Sequence, residues 1–110
     1  MTTTFKSLFS DSQFEFNNTK YNNKSYAMAY YDLVKDVLEG KHGQFASKKD
    51  ATYALGRTIC LNYEELPESV LKYKLYKPLN DIYVVTNKDI KGFNSAIQRI
   101  SKTLNVEVVL

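Results

Sequence analysis

Hydrophobic and polar positions change period several times along this 110-residue chain. Tyr26, Tyr30, Leu33, Val34, Val37 and Leu38 recur every three to four positions. That spacing places them on one side of a helix. It predicts a helix over 24–39, capped by Asn23 or Ser25 and stopped by Gly40. Asp32, Asp36 and Glu39 take much of its opposite face. Ala51, Ala54, Leu55, Thr58 and Ile59 predict a second helix beginning after Ser47. Ser47 and Asp50 there approximate a capping box. Gly56 weakens this helix by up to about 1 kcal/mol relative to Ala.

A third helix over 88–104 has the cleanest division of faces. Ile90, Phe93, Ile97, Ile100 and Leu104 lie on one side, and Lys88, Lys91, Arg99 and Lys102 on the other. Asp89 is its only acid and falls nearer the apolar side. Thr86 or Asn87 caps it, with Thr86 and Asp89 as an approximate capping pair.

Period-two alternation predicts the strands. Phe14 and Phe16 flank Glu15, and 5–9 is a shorter candidate beyond the turn at Ser10, Asp11 and Ser12. Asn17, Asn18, Asn22 and Asn23 read as a polar loop. Leu71, Tyr73 and Leu75 alternate with Lys72, Lys74 and Tyr76, which predicts a strand with one wet face. A turn at Pro78, Asn80 and Asp81 leads to a strand over 82–86, making an antiparallel hairpin. Val106, Val108, Val109 and Leu110 read as a terminal strand. If the strands at 82–86 and 106–110 share one sheet, the helix between them makes a right-handed parallel crossover. The resulting expectation is an α+β fold in one domain spanning 1–110. It has a short mixed sheet, about three helices and the approximate order β-α-α-β-β-α-β. Residues 1–23 carry the weakest pattern.

Composition narrows the class. Hydrophobic residues make up 44% and charged residues 25%, the balance of a chain with a core rather than a disordered one. No run approaches the roughly 20 apolar residues of a membrane helix, and the first residues lack the apolar length of a signal peptide. The expected location is therefore intracellular, in the cytoplasm, with no membrane partner. Cys60 is the only cysteine, so neither an intrachain disulfide nor a zinc ligand set is expected, and burial as a small hydrophobe is its default. Abundant Lys, Asn and Tyr with few Gly, Pro and Arg also suit an AT-rich coding sequence, as in many viruses, plasmids and low-GC bacteria.

The formal charge is +3, from thirteen Lys and two Arg against twelve acids. An excess of this sign argues against a mimic of DNA. Lysine attracts phosphate without reading bases, and the scarcity of Arg leaves little for bidentate base contacts. RNA or single-stranded DNA is thus favoured over specific duplex recognition. The candidate contacts are Lys88, Lys91, Arg99 and Lys102 on the third helix. Lys41, His42, Lys48, Lys49 and Arg57 form a second basic group around the turn between the first two helices. Asn94, Ser95 and Gln98 stand beside the stripe and can add uncharged hydrogen bonds.

Gly40-Lys41-His42-Gly43 resembles the GxxG loop of the KH family, which joins two helices and clamps a single-stranded backbone. The order of elements from 14 to 104 is similar to a small KH domain. The resemblance implies that these four residues hold phosphate. Two departures stand against it. Glu39 precedes Gly40 where the family has Ile, setting an acid beside the phosphate site, and the chain adds the strand at 106–110.

Catalytic chemistry is scarce. His42 is the sole histidine, which rules out a multi-histidine metal site within one chain, and a lone loop histidine is expected on the surface. No Walker loop or dinucleotide fingerprint occurs. A non-enzymatic protein without metal or cofactor is expected. The alternative is a regulator or inhibitor from a virus or mobile element that binds a host protein. Its motivation is small size, nine tyrosines and segregated charge. Tyr26, Tyr30, Tyr73 and Tyr83 are expected in the core. A homodimer through a sheet edge or helix face is also compatible with the pattern.

Overall fold

The computed structural model describes residues 3–4, 13–56, 59–60 and 63–110. The expected strand at 5–9, the turn after it and Arg57 lie outside these residues, as does the side chain of Cys60. The fold is α+β, built from four helices and two small sheets among the described residues.

Among the described residues seven strands and four helices follow one another. They are β1 Thr3–Thr4, β2 Phe14–Phe16, β3 Thr19–Tyr21, α1 Tyr26–Leu38, α2 Lys48–Leu55 and β4 Ile59–Cys60. Then come α3 Glu68–Lys72, β5 Tyr76–Leu79, β6 Ile82–Val85, α4 Ile90–Leu104 and β7 Val108–Val109. A 3-10 turn at Tyr63–Glu65 precedes α3. One sheet has the order β1-β7-β2-β3, with β1 parallel to β7 and the other pairs antiparallel. The second sheet, β4-β6-β5, is antiparallel throughout.

Register explains which residues reach the core. Phe14 faces Tyr21 across β2 and β3, and Phe16 faces Val108 across β2 and β7. These side chains share the inner face, while Glu15 and Lys20 sit opposite each other on the outer one. Inner-face residues pack against Tyr30, Leu33 and Val34 of α1 and Phe93, Ile97 and Ile100 of α4. Phe14, Tyr26, Phe93 and Tyr30 form a chain of rings with successive centroids 5.1–5.9 Å apart, tying the first sheet to both helices.

The second sheet is covered on both faces. Leu79, Ile82 and Val84 join the main core, while Val85 turns to a smaller cluster with Leu66 and Val70. Tyr76 and Tyr83 flank that smaller cluster and meet Tyr63 edge to face, with centroids 5.6–6.0 Å apart. Tyr63 also shares a hydrogen bond with Tyr76, and this contact raises the Tyr76 pKa.

Several expectations change. The polar loop after Phe16 is a hairpin: Asn17 and Asn18 both take positive φ, at 51° and 65°, making a two-residue turn that leads into β3. Residues 71–75 form no strand. Leu71 and Lys72 end α3, Lys74 adopts φ 54°, and Leu71 and Leu75 pack on the small cluster instead. Tyr73 is consequently 63% exposed rather than in the core. The second helix stops at Leu55, and Ile59 belongs to β4. The parallel crossover does not form. Both edges of β6 are already taken, by β4 and β5, so β7 pairs in the other sheet.

Candidate nucleic-acid interface

α4 begins two residues later than its pattern predicts. Asp89 is the cap, and its carboxylate accepts a hydrogen bond from the Gly92 amide at 2.7 Å. Lys88 therefore lies before the helix. The helix closes on Asn105 in the left-handed conformation, φ 56°. Between these ends Phe93, Ala96, Ile97, Ile100 and Ser101 are buried. That burial fixes the helix's rotation and turns Lys91, Ser95 and Lys102 to solvent. Lys91 and Lys102 stand eleven residues apart, about 16 Å along the axis at 1.5 Å per residue. Lys88 and Lys91 lie near one end of this face, and Lys102 lies near the other.

Among the described residues no carboxylate pairs with these cations, and no acid lies within α4 itself. Arg99 is half-buried at the flank of the exposed face. Its Nε donates to the Ala54 carbonyl of α2 at 3.3 Å, which ties the guanidinium to the neighbouring helix. α2 carries Lys48 and Lys49 in its first turn, both exposed. Ser47 caps it by accepting from the Asp50 amide at 3.2 Å. Asn94 is drawn the other way, accepting from the Tyr26 hydroxyl, whose pKa burial pushes up to about 12.

The glycine loop is built differently. Gly40 and Gly43 take φ of 79° and 106°, which glycine tolerates without strain. The amides of Gly40, Lys41 and Gly43 donate to the carbonyls of Val37, Asp36 and Gly40, so three of the four are used within the chain. Lys41 Nζ pairs with Asp36 at 3.2 Å and Glu39 at 3.3 Å, and these two carboxylates raise its pKa. His42 turns inward to 6% exposure, not outward as expected. Its ring meets Phe16 edge-on, with centroids 4.9 Å apart. The clamp that the KH resemblance implies is not presented: three of its four amides are occupied, its cation is paired with two carboxylates and its histidine faces the core.

The hydrogen bonds around His42 fix its tautomer. Tyr21 Oη donates to Asp36 Oδ2 at 2.6 Å and lies 2.6 Å from His42 Nε2. A hydroxyl has one hydrogen, and here the carboxylate takes it. Nε2 must then carry its own hydrogen and donate to the tyrosine oxygen, leaving Nδ1 as a bare lone pair. Nδ1 is buried with no partner among the described residues. Burial lowers the His42 pKa, assisted by Lys41 and opposed by Asp36, so the ring is neutral. Burial and the bond to Asp36 push the Tyr21 hydroxyl's pKa well above its ordinary value. This relay is a packed structural element. The acids at Asp32 and Asp36, expected on an open face of the first helix, instead accept from Asn23 and Tyr21.

Protein-family models, curated proteins and solved structures yield no match to this chain. Its functional reading therefore rests on its own residues. The structure gathers Lys88, Lys91, Arg99 and Lys102 around α4, sets Lys48 and Lys49 on the adjoining α2, and diverts Lys41 and His42 to the fold. Tyr53 is an addition that periodicity could have supplied. It lies off the Ala51, Ala54 and Leu55 stripe, and it is 67% exposed.

Proposed function

We propose that this protein binds nucleic acid through its phosphate backbone, using the solvent face of α4. The observation carrying this reading is the contrast in lysine pairing: Lys91 and Lys102 face water without a carboxylate partner among the described residues, while Lys41 holds two. Phosphate contacts release condensed counterions, so affinity falls steeply with salt. Lysine contacts position a backbone and do not read bases, so binding is weakly sequence-specific. RNA and single-stranded DNA are the favoured partners, and the role is binding rather than catalysis.

The test is a salt series with labelled RNA, single-stranded DNA and duplex DNA. Lys91→Gln/Lys102→Gln should lower the slope of log affinity against log salt by about 0.7 per lysine on single strands. The melting temperature should fall only slightly, because both side chains are exposed and Lys102 contributes at most a surface interaction with the helix dipole. Salt-insensitive binding, or none, overturns the reading.

One observation favours a second reading, a regulator or inhibitor of a host protein. An apolar cleft of about 310 Å³ is lined by Leu38, Ala51, Leu55 and Ile82, and Leu38 is 44% exposed at its edge. An apolar side chain of a protein partner fits such a cleft. A stable complex that survives nuclease treatment and is lost in Leu38→Asp would establish that reading.

A further inference from the structure

One face of α2 is marked by spacing alone. Lys49, Thr52, Tyr53 and Gly56 follow i, i+3, i+4 and i+7, so they rise along one side of the helix and just past its end. Thr52, Tyr53 and Gly56 line a groove of about 430 Å³ whose other wall is Arg99 of α4. Small-ligand sites span roughly 300–1,000 Å³. Gly56 adds no side chain to the end of this groove. A Cβ there would lie 2.3 Å from the Thr52 carbonyl oxygen of the preceding turn, so a larger residue would have to move the backbone.

The two principal walls have complementary chemistry. Tyr53 stands in solvent with no ring contact among the described residues. Arg99 is oriented by its Nε bond to Ala54, while its terminal nitrogens carry no hydrogen bond among the described residues. A guanidinium held at Nε presents its remaining N–H groups as a planar fork, the geometry that grips phosphate oxygens in pairs. Lys49 adds a charge one turn along from Tyr53, and Lys102 adds another one turn along from Arg99.

We propose that this groove between α2 and α4 takes one nucleotide of a single-stranded nucleic acid, with the base stacked on Tyr53 and the phosphate on Arg99. The proposal rests on the reading of α4 as a phosphate-binding face and adds the form of its ligand. A base in a duplex already has both faces stacked, whereas a single strand offers its bases to an exposed ring. Stacking tolerates any base, in keeping with a surface that lacks base-reading side chains.

The experiment measures fluorescence anisotropy of a short labelled oligonucleotide of mixed sequence, as RNA, single-stranded DNA and duplex DNA. The proteins are the wild type, Tyr53→Ala, Tyr53→Phe and Lys91→Gln/Lys102→Gln. Tyr53→Ala should weaken single-strand binding about tenfold and duplex binding by less than about twofold. Its salt slope should match the wild type, because stacking releases no counterions. Tyr53→Phe should bind as the wild type does, since the ring is what stacks. Equal losses on single strand and duplex, or no loss on either, overturn the proposal and leave the α4 reading intact if the lysine variant still lowers the slope. A loss confined to single strands beside an unchanged slope in the lysine variant supports the groove and removes those lysines from the interface. No binding by the wild type overturns both.

Discussion

Lys41 and Lys102 carry the same charge near the ends of helices, yet they belong to different kinds of region. Lys41 follows α1, where Asp36 and Glu39 hold its ammonium and where Asp36 also anchors Tyr21 and, through it, His42. Lys102 lies in the last turn of α4, favourably placed toward the negative end of the helix dipole and free of any carboxylate among the described residues. The first region uses its polar groups to satisfy one another around a half-buried corner. The second satisfies its backbone with Asp89 and Asn105 at the two caps and leaves its cations for a partner. A basic residue becomes a candidate contact only when its neighbours leave the charge available. Glycine spacing and a lysine in the loop were insufficient for that at 40–43.

The comparison predicts a separation of effects. Variants around His42 should change stability and leave the salt slope of nucleic-acid binding alone, while variants of Lys91 and Lys102 should do the reverse. The largest stability effect is expected at Phe16. Its ring is fully buried between β7 and His42, and truncation leaves a cavity. Phe16→Ala should cost about 3–5 kcal/mol in urea unfolding. An unchanged unfolding midpoint would remove this corner from the core.

A smaller effect isolates the hydrogen bonds. Tyr21→Phe keeps the ring stacked on Phe14 at 5.2 Å and removes only the hydroxyl. Asp36 Oδ2 and His42 Nε2 then both lose their tyrosine partner. Leaving buried polar atoms unpaired costs about 1–3 kcal/mol. A loss below about 0.5 kcal/mol would show that the relay contributes little to folding.

Local pattern made much of this fold legible. α1 follows its apolar period from Tyr26, Ser47 caps α2, and Phe93, Ile97 and Ile100 of α4 are buried as their spacing requires, while Ile90 in the first turn is 59% exposed. The failures have local causes too. At 71–75 true alternation coincides with a short helix that follows Pro67 and breaks at Lys74. At 17–18 two adjacent asparagines in the left-handed region close a hairpin, a turn signal that a polar-loop reading overlooked. The lysine face of α4 was legible because one helix carries it. The relay was not, because Tyr21 lies 15 residues from Asp36 and 21 from His42, each on a different element. Nor could spacing foresee Arg99 bonding to Ala54, 45 residues away, which joins α4 to α2 across the proposed groove.

The finest test of the separation is pH. His42 is the chain's only histidine, so it is the one side chain that ordinarily titrates between about pH 5 and 8. In the folded protein its pKa is lowered, chiefly by burial, while in the unfolded chain it lies near about 6.5. As pH falls through that value the unfolded state takes up a proton before the native state does. Stability from the neutral ring is therefore complete above about pH 6.5 and declines below it, until the lower native pKa is passed. The decline approaches a limit of about 1.4 kcal/mol per pH unit. Unfolding free energy measured in steps from about pH 7.5 to 5 should show this slope in the wild type and in Lys91→Gln/Lys102→Gln alike. His42→Gln should lose it. A His42→Gln profile as steep as the wild type's would assign the acid sensitivity to other groups and break the division between the buried corner and the basic face.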